Sequence, residues 1–266
     1  MDLAIYQVDA FTTEPFKGNP AGVVITQQPL SETLMMAITR EMAVSETAFL
    51  TTSDMRLRWF TPEIEVKLCG HGTLATVQIM AECGLINLGE SVCFNTLSGP
   101  LHATLTHSGI ELDFPIAHLN SAQQPDLDLV QALCLTPDDI VSYHTFDNKQ
   151  LIEVISEQVL NDLSPNFDAM RALPGRGVVI TAQSSQQEYD VVSRYFAPWV
   201  GVNEDPVTGS AHCALAPYWA AKLRRSTINA YQASNRGGEV MMTLQQGGRV
   251  TLSGSAVTVI RGNISV

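Results

Sequence analysis

Gly70-His71-Gly72-Thr73-Leu74-Ala75 in the first half of the chain is answered in the second by Gly209-Ser210-Ala211-His212 with Ala214-Leu215-Ala216. In both stretches a glycine-bearing turn opens an apolar helix. The first helix closes at Gly84, and the second runs from about Ala211 to Arg224. Strand-like runs at 3–10, 22–26, 44–50 and 56–62 precede the first helix, and 91–97, 101–107 and 109–114 follow it. Runs at 150–155, 166–172, 177–181 and 188–193 precede the second, with 239–244, 249–253 and 256–261 after it. One further helix is expected from a Ser31 cap through Met42, with Leu34, Met35, Ile38 and Met42 on one face at helical spacing. A helix set twice among antiparallel-looking strands is an α+β pattern. The polar loop 115–125 is the best boundary, giving domains 1–116 and 117–266, with the final strand near 256–266 free to return to the first. Two related domains of this kind place a ligand site between them.

At 266 residues, with 45% hydrophobic and 16% charged side chains, the chain has enough apolar surface for two cores and too few charges for disorder. Fifteen Lys and Arg against 27 Asp and Glu give a net charge of −12, which repels phosphate backbones and anionic lipid, so neither nucleic acid nor membrane is expected as a partner. Met1 to Tyr6 run straight into an alternating pattern without a basic or apolar leader, so no secretion signal is expected. The five cysteines are odd in number, irregularly spaced and without a Cys-x-x-Cys pair, as expected of reduced thiols in a cytoplasmic protein.

Three side chains stand out as candidates for chemistry. Glu46, between Ser45 and the apolar run Ala48-Phe49-Leu50, reads as a partly buried carboxylate whose pKa burial raises toward the working pH, as an acid/base group requires. His71 sits between two glycines, where it can donate to or orient a substrate. Asp205 precedes Pro206, which biases it to an extended backbone, and its carboxylate can pair with an amine or hydroxyl. The turns at Gly70-Gly72 and Gly209-Ser210 offer unpaired first-turn N–H groups, able to hold a substrate carboxylate without any Arg or Lys. Cys69-x-His71 and His212-Cys213 lack established zinc spacing, so no metal is expected. Gly70-x-Gly72-x-x-Ala75 matches a relaxed dinucleotide fingerprint, but the preceding 63–68 alternates charged with apolar residues, unlike a buried first Rossmann strand.

Five motifs in register carry a family resemblance. They are Val8-Asp9-Ala10-Phe11 with Gly18-Asn19-Pro20-Ala21; Ser45-Glu46-Thr47-Ala48-Phe49; Trp59-Phe60-Thr61-Pro62; Leu68-Cys69-Gly70-His71-Gly72; and Asn203-Glu204-Asp205-Pro206 through Gly209-Ser210-Ala211-His212-Cys213. Together they resemble the PhzF-like phenazine-biosynthesis family. The resemblance implies a diaminopimelate-epimerase-like fold of two pseudo-symmetric domains, each a mostly antiparallel sheet wrapped around a central helix, in a homodimer without cofactor. It implies a cofactor-independent isomerase, similar to trans-2,3-dihydro-3-hydroxyanthranilate isomerase, that moves a proton on a small carboxylate-bearing, cyclic amino or hydroxy acid. Glu46, His71 and Asp205 are then the catalytic positions, and Asn19, Gly70, Gly72, Gly209 and Ser210 bind substrate. Gly72 and Lys67 stand where relatives often have Ala and Asp. Diaminopimelate epimerase uses two opposed cysteines; here Cys69 matches one and Thr208 replaces the other, and a threonine hydroxyl is too weakly acidic for that task. The alternatives are a racemase or epimerase using Glu46 with Cys69, and a non-catalytic binding protein on the same scaffold.

Overall fold

A computed structural model describes residues 2–121 and 124–266, so residues 122 and 123 of the expected boundary loop lie outside the described residues. The chain forms two compact units, Met1–Phe114 with Thr251–Val266, and Pro115–Val250. In chain order the first unit contributes β1 (Asp2–Ala10), β2 (Asn19–Thr26), α1 (Glu32–Met42), β3 (Glu46–Thr51), β4 (Arg56–Phe60), β5 (Glu65–Val66), α2 (Gly70–Glu82), β6 (Ser91–Thr96), β7 (Gly99–Thr106) and β8 (Gly109–Pro115). Then follow β9 (Asn120–Ser121), α3 (Leu127–Ala132), β10 (Ile140–Phe146), β11 (Lys149–Val154), α4 (Glu157–Asn161), α5 (Phe167–Ala172), β12 (Val178–Gln183), β13 (Val191–Ala197), β14 (Val202–Asp205), α6 (Gly209–Leu223), β15 (Thr227–Gln232) and β16 (Gly238–Gln245). The chain closes with β17 (Arg249–Gly254) and β18 (Ala256–Ser265). The fold is α+β, mostly sheet with few helices.

In the first unit β1 lies between β18 and β2, antiparallel to both, with Asp2 opposite Ser265 and Ala10 opposite Asn19. β2 and β3 run parallel, Ala21 opposite Glu46, and a parallel pair needs a crossover, which α1 supplies. The expected apolar stripe faces inward: Met35 and Ile38 are buried with Leu3, Ile5, Val24, Phe49 and Phe60, while Leu34 and Met42 pack at the rim. Ser31 caps α1 by accepting from the Leu34 amide, and Ala43, in a left-handed conformation, ends it three residues before Glu46.

Helix α2 is the centre of this unit. Nine of its thirteen residues are buried, so it is covered all round rather than on one stripe. Ala75 and Ile79 pack on Val8, Ala21 and Val23, and each large aliphatic side chain so buried contributes about 1.5–3 kcal/mol. The buried Thr73 and Thr76 hydroxyls donate to the carbonyls of Cys69 and Gly72, which removes the cost of placing them in a core. The absence of a side chain at Gly72 is required by packing: a Cβ there would stand 2.9 Å from Trp59 Cδ1 and 3.0 Å from Cys69 Sγ.

In the second unit β11 and β12 are parallel, Leu151 opposite Val179, and β12 pairs antiparallel with β13. The helices between β11 and β12 pack Leu160 and Met170 into a core with Ile152, Ile180, Val192 and Phe196. Here one expectation fails. Residues 166–172 are not a strand but a capped helix: the Asn166 side chain accepts from the Ala169 amide, and Phe167 and Met170, three apart, turn to the same core. Helix α6 buries Ala211, His212, Ala214, Leu215, Ala216, Trp219 and Ala220. Pro217 inside it has no N–H to give the Cys213 carbonyl, and the Ala117 amide takes that place at 2.9 Å.

Candidate active site

The first unit brings Glu46, Cys69 and His71 together. Glu46 is the first residue of β3, Cys69 is the residue before α2, and His71 lies in its first turn. Glu46 Oε2 is 3.4 Å from His71 Nε2, and Cys69 Sγ is 3.6 Å from His71 Nδ1 and 3.8 Å from Nε2. His71 and Cys69 are buried, and the Glu46 side chain retains 21% exposure. The Glu46 carboxylate is therefore the member of this cluster with an open side.

Burial would raise the Glu46 pKa, as the sequence reading expects, but the hydrogen bond and charge of His71 outweigh it and hold the carboxyl below its ordinary range. This corrects the expectation of a raised value. The partner that reverses the sign stands 25 positions away in sequence, counted from Glu46 to His71. Burial alone would depress His71; Cys69 and Glu46 beside it raise it well above the usual imidazole value. Burial raises the Cys69 thiol, so it rests protonated. With the thiol neutral, the charge that favours a proton on His71 is that of the Glu46 carboxylate, so the resting arrangement pairs this carboxylate with the protonated ring, a neutral thiol lying against it.

The donor atoms of these three residues lie within 4.8 Å of one another, close enough to consider a cation. The thiol argues against it. Burial favours its protonated form, whereas a metal takes the thiolate. The geometry suits proton handling.

Asn19, also expected at the site, is fully buried at the start of β2 opposite Ala10. Its position follows from the preceding loop. The Asp9 side chain accepts from the Phe16 amide at 2.7 Å, Phe16 is left-handed at φ 68°, and Gly18 follows at φ 62° with its open side facing the Ala10 carbonyl.

In the second unit Asp205 ends β14, and Gly209 and Ser210 open α6. The turn between them is fixed from three directions. Thr208 Oγ1 donates to Asp205 Oδ2 at 2.5 Å. The fully buried Gln232 donates to the Asp205 carbonyl at 2.6 Å and accepts from the Thr208 amide at 2.9 Å. Ser234 Oγ donates to the Pro206 carbonyl at 2.9 Å. His212 is buried, and since the Thr208 carbonyl 2.8 Å away can only accept, Nδ1 carries the proton; burial pushes its pKa down to about 4.

The starts of α2 and α6 differ from the other α-helices in one respect. Ser31, Asp126, Ser156 and Asn166 cap α1, α3, α4 and α5 with their side chains, whereas neither Cys69 nor Thr208 makes a cap bond. Cys69 turns to His71 and Thr208 to Asp205. The leading amides at Gly70 and His71 in one unit and Gly209 and Ser210 in the other keep their donors for another acceptor, while the Gly72 amide is turned to the Cys69 sulfur. The expectation that these turns work without a cation needs correction for the second: Lys149 Nζ stands 3.1 Å from Ser210 Oγ. Lys149, Gln232 and Ser234 were missed because they reach the turn from segments distant in sequence; only the turn-forming pair Asp147-Asn148, just before the run at 150–155, hints at the Lys149 hairpin.

The PhzC/PhzF profile, described as phenazine biosynthesis-like protein, matches residues 8–262. The chain belongs to this PhzF family. It is 46% identical over 266 residues, 99% of each chain, to a Halalkalibacterium halodurans protein named as an uncharacterized isomerase. A crystal structure of a PhzF-family phenazine biosynthesis protein from Enterococcus faecalis superposes with a TM-score of 0.93 at 36% identity, covering 100% of both chains. The fold extends to a hydroxyproline epimerase from Agrobacterium vitis, with a TM-score of 0.63 at 13% identity over 99% of this chain and 92% of that one. Among the described residues no helix of this PhzF protein is long and apolar enough to cross a membrane.

Proposed function

We propose that this chain is an isomerase that moves a proton on a small carboxylate-bearing, cyclic amino or hydroxy acid, with Glu46 as the single acid/base group and no cofactor. The observation that carries the reading is the Glu46–His71 pair: a half-buried carboxylate kept ionised by a buried imidazolium 3.4 Å away. An ionised carboxylate takes a carbon-bound proton and becomes a neutral acid; the same acid returns the proton to another carbon, and the carboxylate is restored. His71 holds the carboxylate between the two steps. Asp205 pairs with the substrate amine or hydroxyl. Asn19, the amide at Gly70, and that at Gly209 with the Ser210 hydroxyl bind the carboxylate and the charge that develops. The family's isomerase relatives support the reaction class.

A turnover assay on a panel of cyclic amino and hydroxy acids tests the reading. Glu46→Gln is expected to lose about 10²–10⁴-fold or more in kcat with KM little changed. Turnover of the variant at the wild-type rate would end the proposal. The buried Cys69 thiol, protonated and against the same imidazole, favours a second reading as an epimerase in which Glu46 removes a proton and Cys69 supplies one to the opposite face. Inversion at the reacting carbon identifies that case. The reading also includes a cytoplasmic homodimer, which light scattering on the purified chain tests for assembly.

A further inference from the structure

The hairpin that carries Lys149 borders a cavity whose lining includes none of the residues assigned to the proposed reaction. β10 and β11 are joined by Asp147 and Asn148, both left-handed at φ 43° and 61°, the two-residue turn that matches strand twist. This turn, with Tyr143, Gln150 and Arg176, lines a cavity of about 810 Å³ that lies wholly within the second unit. In a chain with only 15 Lys and Arg and a net charge of −12, two of the cations, Lys149 and Arg176, face this one space.

Neither cation is neutralised by contact. Among the described residues Lys149 reaches only the Ser210 hydroxyl and the face of Phe146, 5.6 Å from the ring centre. Arg176 makes no hydrogen bond or ion pair among the described residues. Burial lowers the Lys149 pKa and Arg176 lowers it further, with Asp147 offsetting part of this, so the two cations repel across the cavity. Gln150 adds a donor, because its carbonyl is occupied by the Tyr143 hydroxyl at 2.9 Å and its NH₂ is what remains. Two cations and an amide donor around one polar space want an acceptor carrying negative charge.

We propose that this cavity is a binding site for the oxyanion of a small polar metabolite, a phosphate or carboxylate group held between Lys149 and Arg176. Asp147 weakens the site by its own charge. The anion competes with Ser210 for Lys149, so its occupancy alters the start of α6. The site does not depend on the role of Glu46.

The test is an amide NMR titration of the full chain with inorganic phosphate and, separately, succinate, at constant ionic strength with glycerol as the neutral control. Saturable shifts are expected at residues 143–150 and at Arg176 with at least one anion, and the preferred anion names the oxyanion. Lys149→Met and Arg176→Gln should each weaken binding by about tenfold or more, as loss of a charge-assisted hydrogen bond implies. Asp147→Asn, which keeps a residue tolerant of the left-handed turn, should tighten it. Glu46→Gln should leave it unchanged, which separates this site from the proposed catalysis. No saturable shift with either anion, or an affinity unchanged in either cation variant, overturns the proposal.

Discussion

Replacing Gly18 by alanine separates two costs that the loop before Asn19 combines. Gly18 is left-handed at φ 62°, which costs an L-residue roughly 1–2 kcal/mol. A Cβ there would also stand 2.1 Å from the Ala10 carbonyl oxygen and 2.8 Å from Thr12 Cγ2. The first of these is backbone in the β1–β2 ladder and cannot retreat without opening the Ala10–Asn19 pair, so overpacking adds roughly 1–3 kcal/mol. Gly84→Ala is the control: φ is 70° there, but nothing lies within 4 Å, so only the dihedral cost applies. Calorimetry should show Gly18→Ala melting on the order of 10 °C below wild type, and Gly84→Ala losing about half of that or less. Gly18→Asn should not recover stability, since asparagine tolerates the dihedral but keeps the Cβ. Equal losses in the two alanine variants would show that the Ala10 contact does not constrain this loop.

Removing the Glu46 carboxylate with Glu46→Gln should move the His71 titration downward, read by ¹⁵N NMR of the imidazole; an unmoved titration would mean the pair is not formed. The Glu46–His71 pair should stabilise the fold only between two limits. The share from Glu46, whose pKa is lowered, is lost as pH falls through that value, and the share from His71, whose pKa is raised, is lost as pH rises through its own. His212, held neutral with a pKa of about 4, should cost the fold about 3 kcal/mol as pH drops from about 6.5 to 4, because only the unfolded chain takes up the proton there. His212→Asn should remove that slope in urea titrations. Arg194 donates to both oxygens of Glu204 and to the carbonyls of Leu160 and Leu163, so Arg194→Met should lower stability by about 3 kcal/mol, with no change expected if the pair were a surface contact.

The parts of the fold legible in the sequence are those set by local rules. The glycine turns before α2 and α6, the Ser31 cap and the Met35–Ile38 stripe needed only neighbouring residues to be read. Residues 166–172 were misread because their apolar spacing is short enough to suit a strand, and the Asn166 cap decides for helix. β15 escaped notice because its inward face, Ile228, Ala230 and Gln232, ends on a buried polar residue that breaks the hydrophobic alternation. Gln232 is buried there because it bonds the Asp205 turn, a contact across 27 residues that no local pattern encodes. The same limit explains the sign of the Glu46 pKa. Its apolar neighbours in sequence predict burial correctly, while the histidine that outweighs burial arrives from another element.

The account rests on Glu46 carrying a proton from one carbon to another, and a transfer experiment measures that step directly. A turned-over substrate bearing deuterium at the carbon to be deprotonated should, in ordinary water, deliver part of that deuterium to the newly protonated carbon of the product, because one shielded carboxyl group performs both steps. Glu46→Gln should show neither turnover nor transfer. Product formed by the variant with the wild-type label distribution would contradict the account.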